Sequence, residues 1–246
     1  MRFSFLAAGV AALVLQGCAA DRTAPQAGES ARLRLASASP DAGALDLLVN
    51  GTTVARAVGR TEASALAEVA AGRSTGEVRA TGTSVALALL PLTLEAGKSY
   101  TVLVAGPMQA LTALVSVDTG SGGPRPLPPS PSEPVDSGTA PPPLADAARF
   151  RIVHAAPHAP PLDPYLTAAG EPLDTLPAFQ PFAYGSLALI ADLVRRPGNH
   201  TVQFTEAGTT RVVLDSGEIV AVAGELLTVV LGENADRSLR VDVVRE

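Results

Sequence analysis

Apolar and polar residues alternate along several short segments of the chain. In residues 32–35 (RLRL) leucine alternates with arginine, and residues 149–152 (RFRI) follow the same pattern. A period of two places neighbouring side chains on opposite faces of a β-strand, so each segment is predicted to be a strand with one buried and one water-facing side. Further apolar runs separated by Gly-containing turns follow in both halves of the chain and predict more short strands.

The two halves of the chain repeat each other. Residues 31–49 align without gaps with residues 148–166, at a constant shift of 117 (148 − 31). Two further blocks follow in the same order, at shifts of 126 (198 − 72) and 127 (223 − 96). Three blocks in one order indicate a duplicated domain, and the increase in shift predicts an insertion of about nine residues within residues 168–184.

Each copy has six or seven strand-like segments in about 88 residues. This pattern predicts an all-β fold of two tandem antiparallel immunoglobulin-like β-sandwich domains joined by a Pro-rich linker. The first domain is assigned to residues 31–118, the Pro/Gly/Ser-rich linker to residues 119–147 and the second domain to residues 148–246. The linker is expected to hold the second domain away from the first. The Ala-rich stretch 63–71 stays open between strand and helix.

The start of the chain reads as an export signal. A basic start (MR) precedes an apolar run over residues 3–15, which is too short to cross a bilayer as a helix, and the tetrapeptide LQGC then ends at Cys18. This arrangement resembles a bacterial lipobox. The resemblance predicts a signal peptide over residues 1–17, acylation of Cys18 and a tether over residues 18–30. The alternative is an ordinary signal peptide whose Cys18 is unmodified.

The location predicted from this start is the cell envelope. The two alanines after Cys18 lack the aspartate that retains lipoproteins at the inner membrane in some Gram-negative bacteria, so the resemblance favours the outer membrane, at its periplasmic or cell-surface face. The anchor itself makes the membrane the first predicted partner. An envelope protein or polysaccharide is the second.

Charge and cysteine content argue against nucleic-acid binding and against disulfide bonds. The chain has 18 basic and 24 acidic residues, a net charge of −6 and a single lysine, so it lacks a basic stripe and nucleic-acid binding is not predicted. Cys18 is the only cysteine, and disulfides are therefore excluded from the folded part of the chain.

The opening of each copy resembles a known family. ARLRLASASPDAGALDLLV at residues 31–49, its partner ARFRIVHAAPHAPPLDPYL at residues 148–166 and a later Ala-Gly-x-x-x-Thr-Val strand are similar to the domain-of-unknown-function family number forty-three ninety-seven (DUF4397). The resemblance implies a secreted or lipid-anchored bacterial protein and implies no established activity. The family's His before the loop is present only as His154, and its Asp after the loop proline only as Asp41.

Four residues of the second copy are weak candidates for binding: His154, His158, Asp163 and Tyr165. A metal site is not predicted, because Pro157 separates the two histidines and breaks any helical alignment of their rings. Asp163 recurs as Asp46 in the first copy, which suits a residue that bonds a turn or strand-end amide.

Most of the aromatic residues of the second copy lie in or beside the insertion. They are Tyr165, Phe179, Phe182 and Tyr184. We expect these rings to pin a Pro-rich loop to the core; the alternative is an exposed platform that stacks on sugars or anchors a protein.

Catalysis is not predicted. The sequence has no G-x-S-x-G elbow, no H-E-x-x-H and no phosphate-binding glycine loop, and no cofactor is implied. The expected function is a non-catalytic structural or adhesive binding module. The alternative is an accessory subunit or enzyme that acts on envelope polysaccharide through the His154 loop.

Overall fold

A computed structural model of the chain describes residues 29–118, 147–173, 177–178, 182–185 and 193–246. The predictions for the signal peptide, for Cys18, for Phe179 and for residues 119–146 of the linker lie outside the described residues. Within the described part, no helix has the length and apolar character needed to cross a bilayer.

The described residues form fifteen strands and one 3-10 turn. The first half holds β1 (Ser30–Ala38), β2 (Leu45–Val49), β3 (Thr52–Val58), β4 (Ala67–Ala70), β5 (Gly72–Ala80), β6 (Ala86–Leu94), β7 (Ser99–Ala105), the 3-10 turn (Met108–Ala110) and β8 (Thr112–Asp118). The second half holds β9 (Ala148–His154), β10 (Leu162–Ala168), β11 (Leu193–Arg195), β12 (Gly198–Glu206), β13 (Val212–Ala221), β14 (Leu226–Glu233) and β15 (Leu239–Arg245). The all-β prediction is confirmed, and the helical alternative for residues 63–71 is wrong.

Each half folds into two sheets with the same topology. The first half has the strand orders β4-β1-β7-β8 and β3-β2-β5-β6, and the second has β11-β9-β14-β15 and β10-β12-β13. β3 has no counterpart among the described residues of the second half, where residues 174–176, 179–181 and 186–192 are outside the description. We call residues 29–118 repeat 1 and residues 147–246 repeat 2.

One strand pair in each repeat departs from the predicted antiparallel arrangement. β1 pairs with β7 in parallel, and β9 pairs with β14 in parallel. Strands of the other sheet lie between these partners in the chain, so no hairpin forces them into an antiparallel arrangement. A period of two is identical for both directions and therefore could not predict this pairing.

An apolar layer fills the space between the two sheets of each repeat. In repeat 1 it includes the buried side chains of Leu33, Leu35, Leu47, Val78, Leu92 and Val102. In repeat 2 it includes Phe150, Ile152, Leu166, Val202, Phe204 and Val229. Both sheets of a repeat contribute to its layer, which is how a sheet buries one apolar face.

A third buried layer joins the two repeats, and we call it the joining layer. Its apolar members are Ala36, Ala38, Leu103, Ala105, Val153, Ala155, Val230 and Val244. Val244 lies on β15, and the others alternate with core residues in or directly after β1, β7, β9 and β14. Both faces of β7 and β14 are therefore buried along their whole length. Repeat 2 therefore packs directly on repeat 1, and the prediction that the linker holds it away is wrong.

The water-facing side predicted for β1 and β9 is also wrong in part. Arg34 and Arg151 are only 9% and 2% exposed, because each side chain enters the joining layer. The alternation identified the two faces of each strand correctly. It could not identify a second protein surface covering the face that carries arginine.

Candidate functional site

A buried ion cluster lies in the joining layer, at the end where β1 and β9 begin. Arg34 Nη2 lies 2.9 Å from Asp118 Oδ2 and 2.6 Å from Glu246 Oε2. Arg151 Nη2 lies 3.2 Å from Asp118 Oδ1. Thr101 Oγ1 accepts a hydrogen bond from Arg34 Nε at 2.8 Å. Two guanidinium groups and two carboxylates therefore neutralise one another across the repeats, which offsets the cost of burying them.

The cluster is built from equivalent positions of the two repeats. The two arginines are related by the shift of 117 that relates β1 to β9. Ser99 pairs with Asp118, and Glu246 donates its backbone N–H to Leu226. Ser99 and Leu226 differ by 127, so Asp118 and Glu246 occupy matching places. Each repeat supplies one arginine and one carboxylate.

A second polar group closes the other end of the joining layer. Arg60 Nη2 lies 2.6 Å from Asp242 Oδ1. Arg240 also contacts Asp242, and it donates a hydrogen bond to the carbonyl of Ala38. Burial, together with the charge of Arg60, lowers the pKa of Arg240 to about 10, so its guanidinium stays protonated at neutral pH.

The recurring aspartates Asp46 and Asp163 each hold a turn. Asp46 Oδ1 accepts hydrogen bonds from the Ala57 N–H at 2.8 Å and from the Thr81 hydroxyl at 2.7 Å. Asp163 Oδ2 accepts a hydrogen bond from the Gly208 N–H at 2.6 Å. Thr81 and Gly208 lie in matching turns, after β5 and after β12. Both carboxylates therefore do what the sequence suggested for a recurring aspartate.

Tyr165 lies beside Asp163 on the face of β10 that turns away from the core of repeat 2. Tyr165 is 5% exposed. Burial raises the pKa of Tyr165, the charge of Asp163 adds to that rise, and a hydrogen bond with Thr205 opposes it. A ring this buried offers no stacking platform to a sugar in this conformation.

His154 is a core residue. It is fully buried, its ring centroid lies 5.3 Å from that of Phe182, and its Nδ1 accepts a long hydrogen bond from the Ala156 N–H at 3.4 Å. Burial holds the pKa of His154 below its ordinary value, which favours the neutral imidazole. His154 faces the core, whereas Asp163 and Tyr165 alternate with core residues of β10, so the structure does not bring these candidates together.

His158 is the candidate that has a chemically useful partner. Its Nδ1 lies 2.7 Å from Glu233 Oε1, and its backbone N–H donates to Glu233 Oε2 at 3.3 Å. The His158 side chain is 50% exposed, whereas that of Glu233 is 3% exposed. A buried carboxylate thus orients a half-exposed imidazole.

Glu233 is not among the site residues predicted from the sequence. Its counterpart in repeat 1 is Gly106 (233 − 127), and the counterpart of His158 is Asp41 (158 − 117). In repeat 1 Asp41 Oδ1 instead accepts a hydrogen bond from the Met108 N–H at 2.7 Å. The sequence feature that could have indicated this pair is that both positions differ between the repeats.

The aromatic residues of the insertion have different environments where they are described. Phe182 lies in the core of repeat 2 and stacks near Phe204, with ring centroids 6.1 Å apart. Tyr184 is 44% exposed, and its hydroxyl lies 2.7 Å from Thr112 Oγ1 of repeat 1. The described part of the chain contains no group of three or more His, Cys, Asp or Glu side chains placed to hold a metal ion.

The described residues define an all-β protein of two repeats, in which most candidate polar side chains are committed to internal bonds. The family model described as Domain of unknown function (DUF4397) matches residues 31–125. This match confirms, over residues 31–125, the resemblance predicted from the sequence. A comparison with curated proteins gave no match.

Proposed function

We propose that this protein is a non-catalytic structural or adhesive binding module of the bacterial cell envelope, built from two immunoglobulin-like β-sandwich domains. The observation that carries the proposal is the use of the polar residues. Asp163 bonds a turn, His154 is buried against Phe182, and the buried arginines are neutralised inside the joining layer. These groups serve the fold, which supports a structural or binding role for the part of the chain that they occupy.

The location in this proposal comes from the lipobox-like sequence at Cys18. We propose that Cys18 is acylated and that the protein is anchored at the outer membrane. Replacing Cys18 with Ala should release the protein from the membrane fraction and abolish fatty-acid labelling. Labelling that persists in the variant would refute the anchor without affecting the account of the fold.

Binding is tested with the chain from Ala19 to Glu246, which carries every residue that the structure describes. Thermal shift and pull-down are run against glycans, peptidoglycan, divalent metal ions and solubilised envelope proteins. A saturable ligand from the glycan or protein panel supports an adhesive role. A cooperative melt with no ligand supports a structural role, and turnover of any polymer in the panel would contradict both.

A second candidate function rests on the His158–Glu233 pair. The alternative is an accessory subunit or enzyme acting on envelope polysaccharide through the loop after His154. Glu233 holds Nδ1 of His158, so Nε2 is the ring nitrogen that would exchange a proton with a ligand. His158→Gln should then abolish turnover while the melting temperature changes little, because the Gln amide N–H keeps a donor for the Glu233 carboxylate. His154→Gln is the matched control, because it should lower stability in either case.

A further inference from the structure

We propose that the joining layer also pairs two copies of this chain, with repeat 1 of one copy packed on repeat 2 of the other. The partner is thus a second copy of the same chain, and the contacts are those already formed within one copy. This proposal goes beyond the structural or adhesive role and does not depend on the lipid anchor.

Among the described residues, no sheet contains strands of both repeats, so the joining layer holds the repeats together mainly through side-chain contacts. Residues 119–146 form the covalent connection, which is 28 residues long (146 − 119 + 1). Asp118 precedes this connection directly and contacts Arg151, which lies four residues (151 − 147) beyond Ala147 at its other end, at 3.2 Å. The gap is therefore far shorter than the roughly 90 Å that 28 extended residues could span. A connection much longer than the gap gives an effective concentration of about 1 mM or less, which falls further with length. Pairing within one chain therefore competes with pairing between chains.

When two copies exchange their repeats, every face that contributes to a joining layer finds a partner. Each chain supplies one repeat 1 face and one repeat 2 face, so two chains form two complete joining layers. Both layers contain the same ion cluster and the same apolar residues as a single closed chain. The assembly is a closed exchanged dimer, and it requires no contact that is absent from the structure.

The polar contacts at the Asp242 end of the joining layer favour pairing of repeat 1 with repeat 2 over pairing of two identical repeats. Leu103 pairs with Leu114 in repeat 1, and Val230 pairs with Asp242 at the matching place in repeat 2. Two copies of repeat 1 would therefore place Leu114 where Arg60 now finds the carboxylate of Asp242. The lost ion pair disfavours pairing of like repeats.

Two further contacts add to this selectivity. Arg240 donates to the carbonyl of Ala38, but the matching position in repeat 1 is Thr112, which is too short to make the same contact. Thr112 instead bonds Tyr184, which belongs to the insertion of repeat 2. The ion cluster is symmetric between repeats, whereas these contacts are not. The asymmetric contacts specify repeat 1 against repeat 2.

A complementation experiment tests the proposal. One variant carries Leu103→Arg, which damages the repeat 1 face, and the other carries Val230→Arg, which damages the repeat 2 face; both use the chain from Ala19 to Glu246. Neither variant can close its own joining layer, so each alone should sediment as a monomer. The 1:1 mixture should sediment at twice the monomer mass, because the undamaged repeat 2 of the first variant can pair with the undamaged repeat 1 of the second.

The control replaces Leu89 with Arg. Leu89 is 68% exposed on β6, outside the joining layer, so this variant should stay monomeric with either partner. A mixture of the Leu103→Arg and Val230→Arg variants that remains monomeric, while both variants melt cooperatively, would overturn the proposal.

A second measurement applies if either variant fails to fold. Isotopically heavy and light copies of the unmodified chain are mixed at about 1 mM, the concentration scale set by the connection, and examined by native mass spectrometry. Dimers of mixed mass are the expected result. Their absence at that concentration overturns the proposal, as does a mixed dimer that persists when both partners carry Leu103→Arg.

Discussion

Repeat 1 and repeat 2 share a topology but use the loop after their first strand differently. In repeat 1 Asp41 accepts a hydrogen bond from the backbone N–H of Met108, and the backbone of Ala110 approaches Gly106 closely. In repeat 2 the matching positions carry His158 and Glu233, which bond each other. The positions that agree between repeats hold turns or join the repeats. Among the positions that differ is the His158–Glu233 pair, which repeat 1 replaces with Asp41 and Gly106.

The largest loss of stability is expected from a substitution in the ion cluster, to which both repeats contribute one arginine and one carboxylate. Asp118→Ala leaves Arg34 and Arg151 buried with Glu246 as the remaining carboxylate of the cluster. The variant should lose about 3–5 kcal/mol in the free energy of unfolding, measured by chemical denaturation, because an uncompensated charge stays buried. Exposed Arg32→Ala is the control and should change stability by less than about 0.5 kcal/mol. A loss below about 1 kcal/mol for Asp118→Ala would contradict the buried cluster.

A graft of the His158–Glu233 pair onto repeat 1 should fail. Gly106 has a φ of +86°, and a Cβ added there would lie 2.8 Å from the backbone oxygen of Ala110. Gly106→Glu combined with Asp41→His should therefore destabilise the protein by more than about 2 kcal/mol, from the left-handed backbone and the clash together. Thermal melting measures the loss.

The control for this graft is Gly51→Ala. Gly51 also has a positive φ, of +82°, but has no neighbouring atom within 4 Å of an added Cβ. Its cost should be about 1 kcal/mol, from the backbone conformation alone. Equal costs for the two glycines would show that the approach of Ala110 does not separate repeat 1 from repeat 2.

Removing His158 should test whether the pair in repeat 2 is coupled. His158→Ala takes away the imidazole partner of a buried carboxylate, so the variant should lose about 1–3 kcal/mol in urea denaturation. The double variant with Glu233→Gln should recover most of that loss, because the unpaired charge is gone. Additive losses in the double variant would mean that His158 and Glu233 do not interact.

The smallest effect is expected at the turn aspartate of repeat 1. Burial acts to raise the pKa of Asp46, but hydrogen bonds from Ala57 and Thr81 and the charge of Arg56 outweigh it and hold that pKa below its ordinary value. Asp46→Asn should cost about 1 kcal/mol at neutral pH.

The pH dependence of that cost has a definite sign. A carboxyl with a lowered folded pKa contributes stability that is present above its unfolded pKa of 3.8 and is lost as the pH falls through the folded pKa. The stability difference between the wild type and Asp46→Asn should thus shrink below about pH 4, as followed by denaturation at a series of pH values. A difference that grows in acid would contradict the hydrogen bonds assigned to Asp46.

The sequence predicted the strands and the duplication because both depend on local pattern. The alternation around Leu33 and Phe150 identified the core face of β1 and β9. The aspartates at 46 and 163 were recognisable because they recur at one position relative to a turn.

The joining layer was beyond that reasoning, because a period of two says nothing about what covers the second face. Arg34 looked like a solvent-facing residue, and only the apolar run VLVA at the end of β7 (SYTVLVA) pointed to burial on both faces. Glu233 was equally hidden. Its role depends on contact with a residue 75 positions away, which no local pattern reveals.

The packing of one repeat on the other is tested most directly by cutting the chain between them. A specific protease site placed within residues 119–146 allows the chain to be cleaved after folding, and the products are separated by size-exclusion chromatography at micromolar concentration. The joining layer predicts that the two fragments elute together at a 1:1 ratio and separate only when Asp118→Ala is present. Fragments that separate without that substitution would contradict the account.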